Sequence, residues 1–136
     1  QGKTYFELFY ESNVKDFGKP TKGITLETRY LKEQLDQAIT KLGLIGSEKV
    51  EFLDWWVPRL QALNSKYIFF SIIEPSEKEK IDHVSYNPEP DTRIEFIAYF
   101  KPLPKPFEGK KLELPTTPPA RVGFTAVEWG GILDDK

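Results

Sequence analysis

The chain has no cysteine, no methionine and a single histidine among its 136 residues. Each absence removes a class of chemistry. Without cysteine there are no disulfides, thiol nucleophiles, thiolate metal sites or iron–sulfur clusters. His83 is the only imidazole, so a Ser-His-Asp arrangement would have to run through it, and no Gly-x-Ser-x-Gly elbow accompanies it. One histidine with no cysteine is too few ligands for zinc. The turn Asn87–Asp91 offers only Glu89 and Asp91, with neither the spacing nor the glycine of a calcium loop. Gly130-Gly131 ends a strand pattern with no helix after it, unlike a phosphate-cradling loop. No metal and no cofactor is expected.

Long apolar runs and an excess of one charge are also missing. The longest apolar stretch, Tyr67 to Ile73, is far short of the ~20 residues of a membrane span. The 19 basic and 21 acidic residues are interspersed, for a net charge of −2. Neither nucleic acid nor membrane insertion is indicated. Because methionine is absent, Gln1 is not a retained initiator, and the start is expected to follow a removed leader or an excision. Together with the lack of cysteine this points to a secreted or cell-surface protein.

What is present reads as one domain over residues 1–136, long enough to bury a core unaided. Thr4–Glu11 alternates as an aromatic strand, and Gly23–Leu26 is a short strand leading to a helix. Leu31, Leu35, Ala38, Ile39 and Leu42 give a helix over Glu27–Leu42, with Thr25 as cap and Gly43 just past its end. Ser47 is placed as the N-cap of a second helix to about Leu63, with Val50, Leu53, Trp56 or Val57, and Leu60 as its stripe and a kink at Pro58. About four residues between the helices predict an antiparallel hairpin.

Lys66–Ile73 reads as a central strand, Glu74–Asp82 as an exposed charged segment and His83–Tyr86 as a short strand. Thr92–Lys101 alternates, with Ile94, Phe96, Ala98 and Phe100 on one face and Arg93, Glu95, Ile97, Tyr99 and Lys101 on the other. Residues 102–119 hold six of the eleven prolines and so form an extended surface crossover anchored by Phe107, Leu112 and Leu114. A closing strand, Val122–Trp129, puts Phe124, Ala126 and Glu128 on one face and Thr125, Val127 and Trp129 on the other. The predicted fold is α+β: a two-layer domain whose mainly antiparallel sheet is covered on one face by a two-helix hairpin.

Four blocks carry a resemblance: Tyr30-Leu31 through Leu42-Gly43-Leu44; Phe52 with Trp56-Val57-Pro58-Arg59-Leu60; Pro88 with Pro90-Asp91-Thr92-Arg93-Ile94; and Gly123-Phe124-Thr125 with Val127 to Gly131. In these the chain resembles a family of uncharacterised, mostly bacterial proteins and C-terminal domains, many of them exported. The resemblance implies an intact single domain in a surface or secreted setting. It brings no reaction, ligand or catalytic residue.

Among candidate site residues, Glu128 could pair with Glu7, Glu11 or Glu95 as the two carboxylates of a glycosidase. The simpler reading is a structural ion pair of Glu128 with Arg93 or Arg121 that pins strand register. Tyr5, Phe9, Trp55, Tyr99 and Trp129 suit a surface that contacts a protein partner, with sugar stacking as the alternative. The leading expectation is a non-enzymatic extracellular binding or structural domain that uses its sheet face or the proline-rich segment. A carbohydrate-binding module, with a weak glycosidase as its extreme, is the alternative, and a purely architectural module is the third reading.

Overall fold

The computed structural model describes residues 3–10 by their backbone, and residues 18–73 and 89–135 in full. The segment Glu74–Pro88, with His83 and the expected strand around it, lies outside the described residues. The elements in chain order are β1 (Lys3–Tyr10), β2 (Ile24–Glu27), a single 3-10 turn (Thr28–Tyr30), α1 (Leu31–Leu42), α2 (Gly46–Gln61), β3 (Tyr67–Ile72), β4 (Thr92–Leu103) and β5 (Thr125–Leu133). One five-stranded sheet has the order β1-β5-β4-β3-β2. Its pairing is mixed: β2–β3 and β3–β4 are antiparallel, whereas β4–β5 and β1–β5 are parallel.

The helices cover one face of the sheet, as the apolar spacing requires. Leu31, Leu35, Ala38 and Ile39 of α1 and Phe52, Leu53, Trp56, Val57 and Leu60 of α2 meet Ile94, Phe96, Ala98 and Phe100 of β4 and Val127 and Trp129 of β5. Aromatic edges fill this core, with the Phe52 ring 4.8 Å from Trp129 and Trp56 4.7 Å from Phe100.

Both expected helix caps move. Thr25 lies in β2, where its hydroxyl accepts the Phe107 N–H, and the 3-10 turn before α1 takes up the Leu31 N–H instead. Helix α2 starts after Ile45, whose N–H is received by the Glu48 carboxylate at 3.0 Å, while Ser47 sits exposed in the first turn. Val50 is 56 % exposed, so the buried stripe runs through Phe52 rather than Val50. Pro58 sits on the exposed side of α2, and the helix continues through it to Gln61. Gly43 closes α1 in the left-handed region at φ 114°, as expected.

Strand β5 is an interior strand, and it does not stop at Gly130-Gly131 but continues to Leu133. Gly131 is required by the helix above it: a Cβ there would lie 2.1 Å from Trp56 Cζ2. The face assignments of β4 and β5 hold, with Val127 and Trp129 facing the helices.

The opposite face carries a second, smaller core of Phe69, Ile73, Ile97, Tyr99 and Ile132, with Phe107 and Leu103 packed against it. Phe107 belongs to the proline-rich connection from β4 to β5, a strap that crosses from one layer to the other. It covers Phe69 at a ring distance of 4.8 Å and bridges β2 at Gly23, where Gly23 N–H meets the Lys110 carbonyl and Leu112 N–H meets the Gly23 carbonyl. Leu112 and Leu114 then pack on the helix-side core. Edge strand β2 is thereby covered at both ends: the strap pairs with Gly23 at its start, and at its end the Glu27 N–H goes to Gln34 Oε1 of α1 at 2.7 Å.

Candidate functional site

The strap returns to β5 past the turn between the helices, where it is fastened. Arg121 donates to both carboxylate oxygens of Glu48, at 2.6 and 3.0 Å, and to the Gly43 carbonyl at 2.7 Å. Glu48 is buried and also receives the Ile45 N–H, so a single carboxylate joins the start of α2, the end of α1 and the strap. Two-pronged pairing of this kind fixes geometry as well as charge. This corrects the expected Arg121–Glu128 pair: Arg121 lies in the strap, outside β5, and its guanidinium is committed to the helix turn.

Two exposed apolar residues border this fastening. Ile45 (50 %), Val50 (56 %) and Val122 (65 %) are three of the four large hydrophobic residues exposed among the described residues. Ile45 flanks Glu48 as its N–H donor and Val122 follows Arg121 directly, so both border the ion pair. The strap limb leading there, Pro115 to Ala120, is exposed at every residue.

A second cluster lies on the other face of the sheet. The Tyr99 hydroxyl donates to Asp134, and Lys19 and Lys101 approach the same carboxylate at 3.4 and 3.9 Å. Burial and the hydrogen bond to Asp134 push the Tyr99 phenol well above its usual range. For Asp134, burial acts upward, but the Tyr99 hydroxyl and the two ammonium groups outweigh it and hold the carboxyl below its ordinary value. A cleft of ≈ 210 Å³ between the lysines is walled by Phe69, Tyr99 and Phe107. The arrangement ties the end of β5 to β4 and keeps a carboxylate charged.

No family model, curated protein or solved structure matches this chain. Its function must be read from its own residues.

Of the expected binding aromatics, Trp129 and Tyr99 are buried, at 0 % and 2 % exposure. Trp129 faces the helices because odd positions of β5 do, and Tyr99 lies in the second core that the strap covers. Trp55 is half-buried and the Arg59 guanidinium stacks on it, 3.3 Å from the ring centre, so this ring face is already occupied. The side chains of Tyr5 and Phe9 lie outside the described residues. Glu128 is 1 % exposed, and its register partner on β4 is Glu95, which is exposed and lies 3.6 Å from Arg93. Arg93 also bonds Glu89 at 2.7 Å.

The residues that organise the surface, Glu48, Ile45, Val122 and Asp134, were not singled out from the sequence. Only Glu48 had a usable signal there, an acid in the first turn of a helix.

Proposed function

We propose that the chain is a non-enzymatic binding domain of a secreted or cell-surface protein, contacting a protein partner at the α1–α2 turn and the strap limb that docks on it. The observation that carries this reading is the placement of exposed Ile45 and Val122 beside the fully bonded Arg121–Glu48 pair. Ile45 and Val122 would give a contact its apolar area, and the bonded polar groups beside them already have their partners and so lose little on burial. A pre-fastened loop also loses little conformational entropy when it docks. The secreted setting draws on the missing cysteine and on the family resemblance. Sugar stacking has less support, since Tyr99 and Trp129 are buried and the Trp55 face is held by Arg59.

A photo-crosslinking residue at Val122, compared with one at exposed Gln37 on α1, tests the surface in the native source. A discrete cross-linked protein from position 122, absent at position 37 and lost with Ile45→Asp, is the expected result. Equal labelling at both positions, or none at 122, removes the reading.

A further inference from the structure

Independently of the partner surface, we infer that Thr116 and Thr117, at the tip of the strap, form an O-glycosylation site. The segment Pro115-Thr-Thr-Pro-Pro-Ala120 is exposed at all six positions, and the chain bends at the two threonines, so they form an apex between pinned limbs. Leu114 packs on the core on one side, and Arg121 is fastened to Glu48 and Gly43 on the other. No backbone hydrogen bond involves residues 115–120 among the described residues.

The hydroxyls are as open as the backbone. Those of Thr25, Thr28, Thr40, Thr92 and Thr125 are each hydrogen-bonded within the fold, and among the described residues those of Thr116 and Thr117 have no such bond. A glycosyltransferase must draw an acceptor segment into its own groove and aim the hydroxyl at an activated sugar. Here nothing has to be unpaired first. Three prolines withhold N–H donors and keep the segment out of strand and helix, and Pro-flanked threonine is the compositional mark of O-glycosylated stretches.

In the reaction, Thr Oγ1 attacks the anomeric carbon of a phosphate-activated sugar. A carbon–oxygen bond forms to threonine, the anomeric carbon–phosphate oxygen bond breaks with its electron pair leaving on the phosphate, and the hydroxyl proton passes to the transferase base. Phosphorylation fits the same hydroxyls less well. The apex carries no charged residue, and the neighbouring cation, Arg121, is already committed to Glu48, so a phosphate would find no partner. A neutral sugar needs none and would shield the exposed prolines.

Trypsin releases both threonines in one peptide, Leu112–Arg121. Mass spectrometry of this peptide from the protein isolated from its natural source should show a hexose- or N-acetylhexosamine-sized increment, placed on Thr116 or Thr117 by electron-transfer fragmentation. The increment should vanish in the Thr116→Ala/Thr117→Ala variant while the denaturation midpoint stays at the wild-type value. An unmodified peptide overturns the inference, as does a phosphate-sized increment. So does a sugar found at Thr21, the other described exposed threonine without a hydrogen bond, while the apex is bare.

Discussion

The substitution Gly131→Ala isolates the contact that sets how close α2 lies to the sheet. Gly131 is an interior strand residue whose backbone is not in the left-handed region, and at such a position Gly→Ala ordinarily stabilises by about 0.4–1 kcal/mol by restricting the unfolded chain. The structure predicts the opposite sign. The new methyl would sit 2.1 Å from Trp56 Cζ2 and 2.6 Å from Cε2, and the indole cannot yield. Trp56 is 1 % exposed and its ring packs 4.7 Å from that of Phe100. Either the ring leaves its rotamer or α2 rises off the sheet, and overpacking of this kind costs about 1–3 kcal/mol. That is a sizeable part of the roughly 5–15 kcal/mol that holds a domain together.

Urea denaturation followed by tryptophan fluorescence measures the loss. The companion variant Trp56→Phe removes the clashing atoms and, with them, an indole N–H that is buried without a hydrogen-bond partner among the described residues. In the Trp56→Phe background Gly131→Ala should therefore cost much less, with a coupling of about 0.5–3 kcal/mol. A neutral or stabilising Gly131→Ala in the wild-type background, or strictly additive variants, would refute the reasoning.

Removing Arg121 should be severe, because Arg121→Ala leaves the buried Glu48 carboxylate without its bidentate partner. A loss of about 3–5 kcal/mol is expected from denaturation, partly recovered by adding Glu48→Gln, and a loss below 1 kcal/mol would contradict it. Phe107→Ala should destabilise by about 2 kcal/mol, below the ~3–5 for a fully buried ring, since Phe107 is half-buried over Phe69; no change in the urea midpoint would mean that the strap is not part of the core. Stability should fall at both ends of the pH scale. Asp134 is held below its unfolded value, so its contribution is present above about pH 4 and is lost as pH falls through the lower folded value. Tyr99 is raised, so its contribution is complete below about pH 10 and is lost as pH rises toward the folded value. Urea midpoints against pH for the wild type and Tyr99→Phe check this: the variant should lose the alkaline decline that Tyr99 causes, and an unaltered alkaline limb would disprove it.

Local patterns were legible in the sequence and coverings were not. Alternation in Thr92–Lys101 put Phe96 and Phe100 on one face and Tyr99 on the other, and it separated Val127 from Glu128 in the same way, because a period of two fixes which residues share a face whatever lies outside. It says nothing about what comes to rest on the second face. Tyr99 read as an exposed binding ring because its covering, Phe107, is brought there by a strap that passes the far edge of the sheet. The Phe107 N–H bonds to Thr25 across 82 positions of chain. The same bond draws Thr25 out of the helix-capping role that its position suggested. Gly130-Gly131 read as the end of a strand because glycine usually interrupts one, and only the tertiary position of Trp56 makes it the middle.

The path of the strap follows from one topological demand. Strands β4 and β5 are parallel neighbours, so the chain must return along the whole strand length before β5 begins, a task that in most sheets falls to a helix. Here both helices are already spent between β2 and β3, and they occupy one face. The return leaves β4 over the opposite face, seals it with Phe107, rounds the β2 edge at Gly23 and finishes against the helix turn at Arg121. A proline-rich segment suits that route because it stays extended without demanding partners for N–H groups it does not have. It also cannot extend the sheet: beyond the single bridge at Gly23 it offers β2 no continuous ladder, so it closes the edge without becoming a sixth strand. The tip that projects between its anchors is then free of structural duty. A segment that is held at both ends and needed by neither core is where recognition or modification can be placed at least cost to the fold.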